Sequence, residues 1–151
     1  MGLSEMDNPI EKMMIAVDGS KTANKALDYA LSLAEKCGAE VQIISVVQTI
    51  GSVTPSPQLV YASFIYDLEK SVETVLAEAV KVAEEKTPDL KVSTRLLRGR
   101  PADEIVRLAK EEDFDIIVLG SRGLGGTEEL FLGSVSDRVA DKAECPVLIV
   151  K

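Results

Sequence analysis

Asp115-Ile-Ile-Val-Leu119 runs directly into Gly120-Ser-Arg-Gly123 and, nine residues later, reaches Gly133-Ser134. The unbroken apolar run is what a strand looks like when crossover helices cover both of its faces, as in a parallel sheet. The glycines that follow form a loop into a helix expected to begin near Ser134. Glycine permits positive φ and close backbone approach, and the first free N–H groups of a helix point at any anion placed there. Ligands of open α/β sheets sit at the carboxyl ends of their strands, so this loop lies where a ligand would lie. A phosphate cradle, with Ser134 adding a hydroxyl, is one reading of the spacing; a plain strand-to-helix turn is the other.

Working outward, Met13–Val17 reads as a short buried strand, and Asp18-Gly19-Ser20 supplies a turn and a helix cap. The helix that follows carries Ala23, Ala26, Leu27, Ala30, Leu31 and Ala34 at the spacing of one buried face, and Gly38 stops it. Val41–Val47 is a β-branched second strand. Residues 48–58, with Gly51, Pro55 and Pro57, read as a long flexible loop. A longer helix is expected over about Leu59 to Lys86, with Leu68, Val72, Val75, Leu76, Ala79, Val82 and Ala83 as its stripe. Strand three is Val92–Leu97. Pro101 suits the first turn of helix three, and Cys145-Pro146 introduces a last strand, Val147–Val150.

This β-α-β-α-β-α-β-α-β order predicts an α/β fold: one doubly wound, five-stranded parallel sheet with helices on both faces. The position of the glycine loop favours strand order 3-2-1-4-5 over 2-1-3-4-5, which brings Asp18 and the loop together at the reversal between strands one and four. A single domain over residues 1–151 is expected, residues 1–12 being an N-terminal tail.

With 25 acidic residues against 17 basic ones, the chain lacks the clustered cations that nucleic acid or an anionic membrane demands. It has no histidine, which removes the usual zinc ligand and general base, and its two cysteines, Cys37 and Cys145, form no C-x-x-C pair. They read as small half-buried residues of a reducing compartment. Residues 1–12 hold no signal-peptide core, and no run approaches the ~20 apolar residues of a membrane span, so a cytoplasmic location is expected.

The spacing Gly120-x2-Gly123-x9-Gly133-Ser134, with Ala16-Val17-Asp18-Gly19-Ser20 after strand one and Cys145-Pro146-Val147 before the last strand, resembles the universal stress protein family along essentially the whole chain. The resemblance implies the adenine nucleotide alpha hydrolase-like fold and membership of the ATP-binding subgroup. It implies that Asp18 contacts the adenine or ribose end and that Ala16, Val17 and Val46 line the base pocket. Gly120, Ser121, Arg122, Gly123, Gly133, Ser134, Val135 and Ser136 would surround ribose and phosphates, with Arg138 in support. Arg122 stands where the family often has histidine. Without the resemblance, a helix cap is the alternative reading of Asp18 and ordinary core that of Val46, while Arg98 and Arg100 read as surface charges. The family also implies a homodimer through Val147–Val150, an apolar strand at the sheet edge.

No P-loop lysine or evident base is present, so the expected role is an ATP-binding sensor or switch in the stress response, with slow or absent hydrolysis. ADP or AMP are the other candidate ligands. Mg or Mn would arrive with the phosphates rather than on a protein site, Glu128 and Glu129 lying near enough in sequence to approach it. The alternative is a slow ATPase or nucleotidyl-transfer enzyme of the same fold. A phospho-acceptor receiver is a poor fit, because strand three ends in Leu97-Arg98-Gly99 without an acceptor aspartate.

Overall fold

The computed structural model describes residues 8–49, 58–123 and 133–151. Nine elements alternate: β1 (Lys12–Ala16), α1 (Lys21–Cys37), β2 (Glu40–Gln48), α2 (Gln58–Lys86), β3 (Val92–Gly99), α3 (Pro101–Glu111), β4 (Ile116–Gly120), α4 (Ser134–Lys142) and β5 (Val147–Val150). All pairings are parallel and the order is β3-β2-β1-β4-β5. The chain therefore builds the doubly wound sheet, and its order reverses between β1 and β4.

The two-residue period of the central strands divides the core. Met13, Ile15, Ile43, Ile116 and Val118 turn toward α1 and α2, while Met14, Ile44, Ile117 and Leu119 turn toward α3 and α4. All six residues of the expected α1 stripe are buried, and four of them are alanine, which lets this helix lie close to the sheet. Gly38 ends α1 in the left-handed region at φ 69°. In α2 only Leu76, Ala79 and Ala83 of the expected stripe are fully buried. Phe64 and Tyr66, in the first half of α2, stay exposed.

Strand ends differ from expectation by one or two residues. β3 continues to Gly99, and β1 ends at Ala16 rather than Val17, although the Val17 N–H still donates to the Ile44 carbonyl at 2.9 Å. Of the expected N-terminal tail, residues 8–12 are anchored to the fold. Asn8 donates to the carbonyls of Ile10 and Cys37, Ile10 packs on the core, and Asp115 accepts the N–H groups of Glu11 and Lys12 at 2.9 Å each. The tip of the expected 48–58 loop, residues 50–57, lies outside the described residues, as do residues 124–132, Glu128 and Glu129 included. Among the described residues, no helix is long and apolar enough to cross a membrane.

Candidate functional site

At the carboxyl end of β1 the chain turns through Asp18 and Gly19, the latter at φ 85°. Asp18 Oδ1 accepts the Ser20 N–H at 2.9 Å, and Ser20 Oγ accepts the Ala23 N–H at 3.2 Å. Ser20 is thus the cap of α1, and Asp18 only braces the turn. One carboxylate oxygen is left over. A methyl group built on Gly123 would stand 2.9 Å from Asp18 Oδ2, so this oxygen lies directly against the glycine loop.

The loop itself is clamped from both sides. On the α1 side, Thr22 Oγ1 donates to the Arg122 carbonyl at 2.7 Å, and Ser20 Oγ reaches the same oxygen at 3.2 Å. The Arg122 N–H lies 3.3 Å from Thr22 Oγ1. On the α4 side, the Ser121 carbonyl accepts from the Gly133 N–H at 2.6 Å and from the buried Ser136 hydroxyl at 2.8 Å. The Ser121 N–H donates to Val150 at 2.8 Å, which fixes the loop to the edge strand as well.

Positive φ is not why these glycines are there. Gly120, Gly123 and Gly133 all avoid that region. What they share is a lack of room for Cβ. It would stand 2.6 Å from the Thr22 main chain at Gly120, and 3.0 Å from the Ser121 carbonyl oxygen at Gly133. Close approach, of main chain at Gly120 and Gly133 and of the Asp18 carboxylate at Gly123, selects glycine rather than turn geometry.

The start of α4 differs from that of α1 in a way that bears on chemistry. Its N-cap is Gly133, which has no side chain to accept a bond, and Asp137 N–H to Gly133 O at 2.9 Å closes the first turn. The N–H groups of Ser134, Val135 and Ser136 therefore have no acceptor within their own helix and carry the positive end of its dipole. Val46 lies across the sheet end. β1 pairs with β2 no further than Ala16 opposite Ile44, and strand alternation puts the main-chain groups of Val46, two residues on, toward the side that β1 has vacated.

All twelve expected site residues thus gather at the carboxyl end of the sheet, around β1, β2, β4 and the start of α4. Arg122 is half-buried among them. Arg138 does not belong to the group: its Nε donates to Asp103 on α3 at 2.9 Å, a pairing across helices that the i+4 spacing from Ser134 could not reveal. Arg98 is a surface charge paired with Glu69 at 2.6 Å. A cleft floored by Leu27, Val75 and Val82 between α1 and α2 also reaches Gly19, but around it Asp28, Glu78 and Glu85 outnumber Lys86, which disfavours a phosphate. Sequence reasoning missed Ser20 and Thr22 as anchors of the loop. Ser-x-Thr after Asp-Gly reads locally as capping chemistry, and only the packing of α1 on Gly120 shows its second use.

A parallel sheet of this order, bearing a glycine loop after its fourth strand, defines a Rossmann-like α/β protein. Residues 9–151 match the Universal stress protein family, and the chain belongs to that family. It is 39% identical over 148 residues to universal stress protein YxiE of Bacillus subtilis (strain 168), which spans 93% of this chain and 98% of that one. Universal stress protein UspA from Lactobacillus plantarum has the same fold, with a TM-score of 0.85 at 23% identity over 93% of this chain and 97% of its own. A universal stress protein solved in complex with cAMP superposes with a TM-score of 0.71 at 26% identity, covering 93% and 97% of the two chains.

Proposed function

We propose that the chain binds an adenine nucleotide across the carboxyl end of its sheet and acts as a nucleotide-dependent sensor or switch. The observation that carries this reading is the start of α4, where Gly133 offers no side-chain cap and lies close to Gly123, which in turn lies against Asp18 Oδ2. Phosphate oxygens meet the first N–H groups of α4 and the Gly123 amide. Asp18 Oδ2 accepts from the ribose hydroxyls, while the vacated edge of β2 at Val46 offers main-chain groups to the base. Arg122 offsets phosphate charge. The family relative solved with cAMP supports the adenine nucleotide as ligand class.

ATP is the expected form, with ADP and AMP as the other states. Mg or Mn rides on the phosphates. Mass spectrometry of ligand released from gently denatured protein, followed by calorimetry with ATP, ADP and AMP, tests the reading. No heat at millimolar nucleotide would refute it. Incubation with ATP and Mg or Mn separates sensor from enzyme: steady product release at enzyme-like rates would reject the sensor role in favour of an ATPase or nucleotidyl transferase.

The same reading includes a homodimer. β5 pairs with β4 on one side only, and Val147, Leu148, Ile149 and Val150 are each half-buried in the single chain, which leaves an apolar edge for a second copy. Sedimentation that returns a monomer at micromolar concentration would remove this part of the proposal.

A further inference from the structure

The crevice described above depends on which way one peptide unit faces. Arg122 presents its carbonyl to α1, where two hydroxyls meet it: Thr22 Oγ1 at 2.7 Å and Ser20 Oγ at 3.2 Å. The peptide bonds of the described residues are all trans. In a trans unit the C=O and the following N–H point in opposite directions, so a carbonyl held on α1 turns the Gly123 N–H away from α1. On that other side lies the start of α4. A Cβ built on Gly133 would sit 3.6 Å from the Gly123 nitrogen and 3.2 Å from Arg122 Cα. The Gly123 amide therefore lies next to the uncapped N–H groups of α4.

We infer that Thr22 is a positioning residue for the phosphate arm of the nucleotide site: its hydroxyl holds the Arg122 peptide so that the Gly123 N–H joins the α4 amides as an anion donor. The inference deepens the nucleotide reading and rests on it. Two features single out Thr22 rather than Ser20 for this work: its bond to the carbonyl is the shorter, and its oxygen also accepts the Arg122 N–H at 3.3 Å. Gly120 supplies the remaining condition. Without a side chain there, the first turn of α1 comes within reach of the loop, since a Cβ would overlap both the Thr22 carbonyl carbon and its Oγ1 at 2.6 Å.

The consequence is a split between ligands. A Thr22 variant that lacks the hydroxyl frees the Arg122 peptide to rotate, which weakens contacts to phosphate and leaves contacts to base and ribose as they were. Thr22→Val keeps the shape and removes the hydroxyl; Thr22→Ser keeps the hydroxyl. Calorimetric titration of the wild type and both variants with AMP and with adenosine reads the split. Thr22→Val is expected to bind AMP about five- to tenfold more weakly, the worth of one hydrogen bond, with adenosine affinity unchanged and Thr22→Ser close to wild type. Equal weakening toward AMP and adenosine, or none toward AMP, overturns the assignment while leaving nucleotide binding intact. A wild type that binds neither ligand overturns both readings. A measurement on the unaltered protein covers a Thr22→Val variant that fails to fold. In amide NMR spectra the Gly123 signal should shift with AMP and stay in place with adenosine, and a Gly123 amide that ignores AMP overturns the inference.

Discussion

Gly120→Ala is the substitution whose effect follows most directly from the packing. The new methyl would stand 2.6 Å from the Thr22 carbonyl carbon, 2.6 Å from its Oγ1 and 2.7 Å from the Ala23 nitrogen. Ordinary contact begins near 3.4 Å, so the shortfall is about 0.8 Å. Two of the three atoms are main chain in the first turn of a helix, and no rotamer change relieves them. α1 must withdraw as a body, loosening Ala23, Ala26 and Leu27 from the sheet face they bury. Overpacking of this kind costs about 1–3 kcal/mol, and a backbone obstacle belongs at the upper end. For a chain of 151 residues, about 3 kcal/mol lowers the melting midpoint by ~6–12 °C. Gly38→Ala makes the control: its Cβ would meet nothing within 4 Å, so only the left-handed φ of 69° is penalised, by about 1–2 kcal/mol. Thermal melts followed by far-UV circular dichroism compare the two. A Gly120→Ala midpoint within about 2 °C of wild type, or above that of Gly38→Ala, would refute the close-packing account.

Gly133→Val places a branched side chain against the Ser121 carbonyl oxygen, 3.0 Å from Cβ, and Arg122 Cα at 3.2 Å. It should abolish nucleotide heat in calorimetry while far-UV dichroism at room temperature stays native, and retained micromolar affinity would count against the site. Arg95, hydrogen-bonded to Glu112, holds that carboxyl below its usual range, with Lys12 adding attraction. A depressed carboxylate contributes stability above its unfolded pKa and loses it as pH falls through the folded one. Arg95→Gln should therefore destabilise at pH 7 by under about 1 kcal/mol and by still less at pH 3, and a pH-independent difference in urea melts would contradict this. Burial pushes the Cys145 thiol upward, so in a Cys37→Ser background it should react with a disulfide reagent at pH 8 more slowly than a small free thiol. Reaction at the small-thiol rate would show that the site is not dry.

Much of this architecture was readable from residue order alone, for identifiable reasons. The α1 stripe is a local, periodic signal, and every residue of it is buried as expected. The order 3-2-1-4-5 followed from one argument: a ligand loop after strand four needs a chain reversal beside it. Signals that depend on distant neighbours were less legible. Arg138 stood as a helper to the site from its place one turn beyond Ser134, yet it pairs with Asp103, 35 residues earlier. In α2 the expected stripe begins at Leu68, but full burial begins only at Leu76, because periodicity cannot say how far a helix extends past the sheet it packs on. Of the two reasons given for the loop glycines, positive φ and close backbone approach, only the second applies. Positive φ is a property of one residue; lack of space for Cβ depends on a second segment, about a hundred residues away for Gly120 and Gly123.

That pairing of segments explains why the two helix starts at this edge take different roles. α1 begins with Ser20, whose oxygen accepts the Ala23 N–H, so its positive end is partly satisfied internally and its hydroxyls are free to hold the loop. α4 begins with Gly133, which has no side chain to cap it, so in the proposed site its first N–H groups are the ones that meet the ligand. Exchanging the two caps should exchange the roles. Gly133→Ser would bring an oxygen to the start of α4 that competes with phosphate for the N–H groups of the first turn. The same oxygen would stabilise the helix, and its Cβ would press on the Ser121 carbonyl. If the α4 amides are the principal anion donors, this variant loses affinity for AMP and keeps it for adenosine. Equal affinity for AMP in variant and wild type would mean that the phosphate is held elsewhere, with Arg122 the first place to look.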